Sequence, residues 1–239
     1  MRVKSEAHRE VYAKLCTDAV IHLAAIPAPV TYPHEVIFSN NVIATYNVLE
    51  AVSILKIQKV VIGSSESAYG FCWAPQAFSP LYLPVDEEYP LLSQECYGLS
   101  KEINERTGAM FHRRSGTQVL AMRFSTILTP DEGAGMKKRI SKPENFNRTL
   151  WSYIDIRDAA TACRIGIEVE GCGFASLNVT ANDTLSDWGT NRLLAEFYPD
   201  VTDLRREFIG REAVVSNELA CKTLNWRPQY SWMDHLTVT

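Results

Sequence analysis

Tyr97 and Lys101 stand four residues apart in Tyr97-Gly-Leu-Ser-Lys101, a spacing that lets two side chains work as one proton-transfer unit. On a helix, positions i and i+4 share a face, one above the other. An ammonium beside a phenol favours the phenolate and draws the tyrosine below its ordinary pKa of ~10. A tyrosine tuned in this way takes or gives a proton near neutral pH. The spacing by itself is a weak signal. It gains meaning from an upstream apolar run ending in two hydroxyls, Lys59-Val-Val-Ile-Gly-Ser-Ser65.

Those side chains need a scaffold, and the sequence supplies one as alternating strands and helices. Asp18-Ala-Val-Ile-His-Leu-Ala-Ala25 is a short continuous apolar run of the kind that forms a buried parallel strand. Pro27, Pro29 and Pro33 mark a loop, and Asn40 to Leu55 has helical periodicity with Ser39 or Asn40 as cap. Lys59 to Gly63 is a second strand, and Ala68 to Glu95 a long loop rich in proline and aromatics. The helix carrying Tyr97 and Lys101 runs to about Arg114, and Gln118 to Phe124 is a third strand. Pro130 to Arg148 reads as a polar, basic loop, Trp151 to Asp155 as a strand and Ile156 to Val169 as a helix. Ala175 to Val179 reads as a strand, Ser186 to Tyr198 as a helix and Asn225 to Trp232 as a turn packed on aromatics. This order implies a parallel sheet covered by helices on right-handed crossovers, an α/β fold. Ligands of open parallel sheets bind beyond the carboxyl ends of the strands. Ala24–Ala25, Ser64–Ser65 and Phe124–Thr126 occupy three such ends, so one crevice is expected where Tyr97 and Lys101 arrive from a helix.

Composition narrows the class of protein. The 239 residues, 46% of them hydrophobic, suffice for one large domain or two small ones. A net charge of −4 argues against a general nucleic-acid binder, which needs a basic surface. No apolar stretch reaches the ~20 residues that span a bilayer, and the N-terminus lacks the apolar segment of a secretory signal. The six cysteines show no zinc spacing and read as reduced thiols, so a cytoplasmic protein without a metal site is expected. Met1 to Leu15 has a helical rhythm in Val3, Ala7, Val11 and Leu15. Asn147, Asn178 and Asn182 open N-x-S/T triplets that, without a secretion signal, are chance matches.

An ordered set of motifs resembles the extended short-chain dehydrogenase/reductase family, in particular the NAD-dependent epimerase/dehydratases. The set is His22-Leu-Ala-Ala25, Asn40-Asn-Val-x-x-Thr45, Ser64-Ser-Glu-Ser-Ala-Tyr-Gly70, Leu83-Pro-Val-Asp-Glu87, Tyr97-x-x-x-Lys101, Met122-Arg-Phe124 and Tyr153-Ile-Asp-Ile-Arg-Asp-Ala159. A late Leu224-Asn-Trp-Arg-Pro228 resembles the family's C-terminal turn, and the similarity runs from about Asp18 to Leu236. The resemblance implies a Rossmann-like doubly wound parallel sheet. It divides the chain into a partial dinucleotide-binding domain, 1–130, and a mixed region, 131–239, that holds a small substrate-binding subdomain and segments returning to the core. It implies Ser65, Tyr97 and Lys101 as catalytic residues, with Tyr97 the acid/base and Lys101 also on the nicotinamide ribose. Leu23, Ala24, Ala25, Asn40, Gly63 and Phe124 match further contacts to NAD or NADP. The implied substrate is a small molecule, a sugar or nucleotide-sugar, and the implied assembly a homodimer through the helices matching Asn40–Leu55 and Tyr97–Arg114.

One family feature has no counterpart here. The family opens with a strand, a G-x-x-G-x-x-G turn and a helix whose N-terminus cradles the cofactor pyrophosphate. Asp18 already opens what matches the family's fourth strand, and Gly171-Cys-Gly173 lacks the third glycine and precedes a strand. The expectation is a fold short of its first βαβ unit, at least ~30 residues. Two functions then compete: an NAD(P)-dependent epimerase/dehydratase-type oxidoreductase, or a truncated, non-catalytic remnant serving as a binding or dimerisation module. The loss would bare a sheet edge, which either drives association or is covered by the helix Met1–Leu15.

Other residues have plainer readings. Ser65 can cap a turn as well as hold a reacting oxygen. Glu66 and Asp86-Glu87-Glu88 read as solvated carboxylates or caps, His22 as a packed structural histidine and Cys96 as a small buried residue. Lys137, Lys138, Arg139 and Lys142 either grip substrate phosphates or form a mobile charged loop.

Overall fold

Apolar residues on both faces of successive strands dictate a sheet sandwiched between helices. In the computed structural model, which describes residues 2–14, 16–130 and 133–236, β1 (Ala19–His22), β2 (Lys59–Ser65), β3 (Gln118–Phe124) and β6 (Phe174–Val179) form one parallel sheet in the order β1-β2-β3-β6. Side chains alternate across it. Val60, Ile62, Val119 and Ala121 pack under α2 (His34–Leu55) and α3 (Cys96–Ser115) with Val48, Val52 and Phe111. Val61, Leu120 and Met122 point the other way, onto α5 (Ile156–Glu168) and α7 (Glu218–Leu224) with Ala162 and Leu224. Helix α5 sits this close because position 166 is glycine: a Cβ there would lie 2.6 Å from Met122 Cε and 2.8 Å from Val61 Cγ2. Ser65 pairs with Phe124 and Phe124 with Val179, so the strands end level with one another. Level ends give one rim rather than a staircase.

Beyond the rim lies a second core, in which Tyr69, Tyr89, Trp151, Tyr153, Leu185 and Trp232 pack together. It is framed by a two-stranded parallel ribbon, β4 (Thr126–Leu128) with β5 (Tyr153–Asp155), and by α4 (Gly133–Ile140) and α6 (Thr190–Phe197). Several expectations change here. The stretch Pro130–Arg148 is not a loop: it holds α4 and two 3-10 turns, whose Met136, Ile140 and Phe146 are buried. The strand expected at 151–155 is shorter and pairs outside the main sheet. Helix α2 starts six residues earlier than expected, directly after Pro33, and gains a buried turn at Ile37. Helix α6 starts four residues later, because the Ser186 hydroxyl accepts from Trp188 N and holds a turn ahead of it. Helix α7 carried no sequence expectation. Among the described residues no helix is long and apolar enough to cross a membrane.

Helix α1 (Arg2–Lys14) forms as expected but packs against α2, with Tyr12 against the sheet core while Val11 stays 51% exposed. Val3 and Leu15 lie outside the described side chains. The described side chains of α1 thus cover part of one sheet face through Tyr12. Strand β1 pairs only with β2 among the described residues, and Ile21 and Leu23 along it are 41% and 53% exposed. Unpaired amides beside exposed apolar side chains recruit another strand. Sedimentation velocity of this chain is expected to show concentration-dependent association that Ile21→Lys with Leu23→Lys reduces. A concentration-independent monomer excludes association through this edge.

Candidate active site

Ser65 ends β2 in extended geometry, and its hydroxyl accepts from Ser67 N at 3.1 Å, capping the 3-10 turn Glu66–Tyr69. The capping reading of Ser65 is thus realised, and Ser65 and Tyr97 line the same cavity, with Ser65 near enough to oppose the rise in the Tyr97 pKa. Tyr97 is brought there by the start of α3. The Glu95 carboxylate accepts from the backbone amides of Tyr97 and Gly98 and caps the helix. Gly98 is required where α3 meets the turn, since a Cβ at that position would lie 2.4 Å from Ser67 O. One helical turn on, Lys101 Nζ donates to Gly63 O at 2.7 Å and lies 5.4 Å from the Tyr97 ring centroid. Ser65, Tyr97, Lys101 and Gly63 line one cavity of about 970 Å³, together with Leu23 and Ala25 after β1 and Phe124 at the end of β3.

Burial sets the protonation of the pair. Tyr97 is pushed up to about 12 by desolvation, with nearby Cys72, Glu95 and Glu66 acting in the same direction and the Ser65 hydroxyl opposing. The phenolate expected from the lysine spacing is therefore not the resting form. The Lys101 ammonium turns to the Gly63 carbonyl, and removing the phenol from water outweighs it. Lys101 is itself drawn down to about 8 by burial, against the pull of Glu105. At neutral pH the wall thus presents a neutral phenol beside a charged ammonium. His22 is a packed residue: its Nε2 lies 3.2 Å from Thr45 Oγ1, and burial with Lys101 nearby holds it at about 4, so it is neutral.

Not every expected residue reaches the cavity. Asn40 is exposed at the helix surface, and its neighbour Asn41 does the positioning. The buried Asn41 amide accepts from Ile26 N at 2.8 Å and donates to Ile26 O at 3.1 Å, fixing the loop after β1. Ala24 is exposed and outside the wall, whereas its neighbours Leu23 and Ala25 are on it. Lys137, Lys138, Arg139 and Lys142 face solvent and do not line the cavity. Arg148, Asn147 and Trp73 do line it, and none of them carried a sequence signal. Arg148 Nη1 donates to Ala74 O at 2.7 Å, which anchors the guanidinium at the cavity wall. Cys96 is half-buried, and burial beside Glu95 pushes its thiol up.

Glu66 departs most from expectation. It is buried rather than solvated, and its carboxyl accepts from Ser152 Oγ, with Ser125 and Thr126 adding contacts across to β4. Desolvation raises it from 4.5 to about 8 against those hydrogen bonds, so it is a neutral acid at pH 7. Its position directly after the strand end, in a turn that the fold buries, was the available clue. Because the folded pKa lies above the unfolded one, the folded state binds the extra proton. Its contribution to stability is complete below pH 4.5 and is lost as pH rises through about 8. Glu66→Gln keeps an acceptor for Ser152 and removes this dependence. Urea unfolding is expected to show the variant gaining on the parent between pH 5 and 8, by a margin on the order of a few kcal/mol. A constant difference across that range excludes a buried neutral Glu66.

Comparison with known proteins converges on one group. Residues 3–168 match the model of the NAD dependent epimerase/dehydratase family. The L-arabinose 1-dehydrogenase (NAD(P)(+)) of Haloferax volcanii is 30% identical over 142 residues, 56% of this chain and 54% of that protein. A putative UDP-arabinose 4-epimerase of Arabidopsis thaliana is 26% identical over 205 residues, 83% of this chain and 41% of that protein. The chain thus spans about half the length of these curated relatives. A short-chain dehydrogenase/reductase superfamily protein from Agrobacterium tumefaciens, solved with bound NAD, superposes with a TM-score of 0.71 at 20% identity. It is covered over 80% of its length by 97% of this chain. A UDP-galactose 4-epimerase structure gives a TM-score of 0.64 at 25% identity, over 95% of this chain and 78% of that one. With a parallel sheet, the level strand ends and the family model covering more than half of its residues, this chain belongs to the NAD-dependent epimerase/dehydratase family.

Proposed function

We propose that this chain carries the catalytic wall of an NAD(P)-dependent epimerase/dehydratase-type oxidoreductase acting on a sugar or nucleotide-sugar. The observation that supports it is that Ser65, Tyr97 and Lys101 line one cavity, with Lys101 Nζ 5.4 Å from the Tyr97 ring centroid. A substrate oxygen seated between the two hydroxyls accepts hydrogen bonds from both. Tyr97, protonated at rest, gives its proton to that oxygen as a carbonyl is reduced, and takes it back in the reverse direction. Ser65 holds the oxygen in line, and Lys101, tethered to Gly63 O, keeps a positive charge behind the phenol. When bound, NAD(P) supplies the hydride chemistry.

The residues present fit the nicotinamide half of that cofactor. Lys101 and the Gly63 backbone face the cavity, and the Asn41-fixed loop offers Ala25 at its edge. They do not include a glycine-rich turn leading into a helix N-terminus among the described residues. On the same cavity wall, the anchored Arg148 guanidinium suits a carboxylate or phosphate, which planar guanidinium groups bind with two parallel hydrogen bonds. This favours an acidic sugar or the phosphates of a nucleotide-sugar over a neutral free sugar. The relatives described above are named as an L-arabinose dehydrogenase and a UDP-arabinose 4-epimerase.

A second reading, a non-catalytic binding module, is suggested by the exposed apolar Ile21 and Leu23 along β1. Cofactor binding separates the two. Calorimetry is expected to find weak NAD binding to these 239 residues and tighter binding once a strand–glycine turn–helix segment is fused ahead of them. Tight binding without the fusion overturns the argument about the missing cradle, and no gain from it favours the binding module. In the fused protein, Tyr97→Phe is expected to cut turnover by roughly 10²–10⁴ with cofactor affinity unchanged. Lys101→Met should lower both, since it removes a ribose contact along with the charge. Full turnover in Tyr97→Phe excludes the mechanism.

A further inference from the structure

Helix α3 continues the column of functional side chains for one more turn. Glu105 follows Lys101 by four residues, as Lys101 follows Tyr97, and so lies on the same helical face. Its carboxylate is buried and fully engaged. Oε1 accepts from Ser64 Oγ at 2.5 Å and from Arg123 Nε at 2.9 Å, and Oε2 from Arg123 Nη2 at 2.7 Å and Ser176 Oγ at 2.8 Å. Ser64 and Arg123 sit one residue from the ends of β2 and β3, Ser176 lies within β6 opposite Ala121, and Ser64 is the immediate neighbour of Ser65.

We propose that Glu105 is the positioning residue of the Tyr97–Lys101 pair. Clamped by Arg123, Ser64 and Ser176, it fixes α3 against three neighbouring strands and supplies the anion that keeps Lys101 charged inside a buried wall. The proposal rests on the reading of Tyr97 and Lys101 as a working pair. Without an anion nearby, a buried ammonium gives up its proton. The titratable groups that face Lys101 are Tyr97 and Glu105 from α3 and His22 from β1, with Arg123 of β3 behind Glu105. Of these, His22 is neutral and Tyr97 protonated, which leaves Glu105 as the counter-charge. The direction agrees with the opposing effects on Lys101 itself, where burial lowers its pKa and Glu105 raises it.

A merely structural Glu105 and a counter-charge Glu105 predict different titrations of Lys101. The measurement is the pH titration of the Lys101 side-chain signal in protein carrying carbon-13 lysine, assigned by its loss in Lys101→Arg. It needs no turnover, so a failed catalytic reading and a failed positioning role give separate results. Glu105→Gln is expected to lower the Lys101 protonation constant by about tenfold or more, because the anion is lost and Arg123 is left facing the ammonium. Glu105→Gln with Arg123→Gln removes both charges and should lower it less. Glu105→Asp, which keeps the charge, should stay nearest to the parent. This order distinguishes an electrostatic role from loss of packing, which has no reason to follow charge. If Glu105→Gln alone does not fold, the double variant and Glu105→Asp carry the comparison. A Lys101 titration within about twofold of the parent in every folded variant lacking the Glu105 charge overturns the proposal. Where turnover is measured, the alkaline limb of kcat should move to lower pH in the same order.

Discussion

The Glu105 carboxylate and the Arg123 guanidinium leave water together, and much of the site is arranged around that exchange. A buried ion pair is tolerated only when every remaining donor and acceptor is satisfied. Here Arg123 uses two nitrogens on Glu105 and a third on the Tyr69 hydroxyl at 2.8 Å, while Ser64 and Ser176 complete the carboxylate. Tyr69 passes the chain of bonds to Asn178 Oδ1 at 2.7 Å and to Asp86 O, and Asn178 N donates to Glu87 Oε1 at 2.7 Å. One network thus ties α3, three strand ends, the turn after β2 and the loop at 86–87. Removing a single partner would leave the other charge uncompensated, at a cost of about 3–5 kcal/mol. Such a network favours one arrangement of the rim over nearby alternatives.

Burial, more than any pairwise attraction, decides the charge state of the groups around the cavity. The lysine spacing favours a phenolate at Tyr97 and surface position favours an ionised Glu66, yet desolvation reverses both. The same effect acts oppositely on bases, drawing Lys101 and His22 down. The wall therefore combines neutral proton carriers, Tyr97 and Glu66, with one buried ammonium whose charge depends on its environment. A cavity of this kind loses stored interactions quickly if water enters. The aromatic core beyond the rim, with Trp151, Tyr153 and Trp232 buried, closes that side of the molecule and holds the β4–β5 ribbon where Ser152 meets Glu66.

The α/β order, the three strand ends and the Ser65–Tyr97–Lys101 wall were legible because each rests on local pattern. Val60, Val61 and Ile62 are apolar on both faces, so they specify a covered parallel strand whatever surrounds them. Four-residue spacing places Lys101 over Tyr97 on any helix. Helix α4 was hidden because Gly133–Ile140 is basic and glycine-containing, and only its burial of Met136 and Ile140 against the second core makes it a helix. Asn40 and Asn41 are chemically identical, and the phase of α2 alone selects Asn41 as the buried member.

The sequence by itself determined the sheet, the helical pair of Tyr97 and Lys101, and the hydroxyl at the end of β2, because periodicity and chain order fix them. Tertiary structure alone decided which charges survive. It placed Arg123 on Glu105 across 18 residues of chain, brought Ser152 to Glu66 from 86 residues away and set Arg148 on the cavity wall. Desolvation depends on every neighbour at once, and those neighbours come from separate parts of the chain, so no local window of residues contains it.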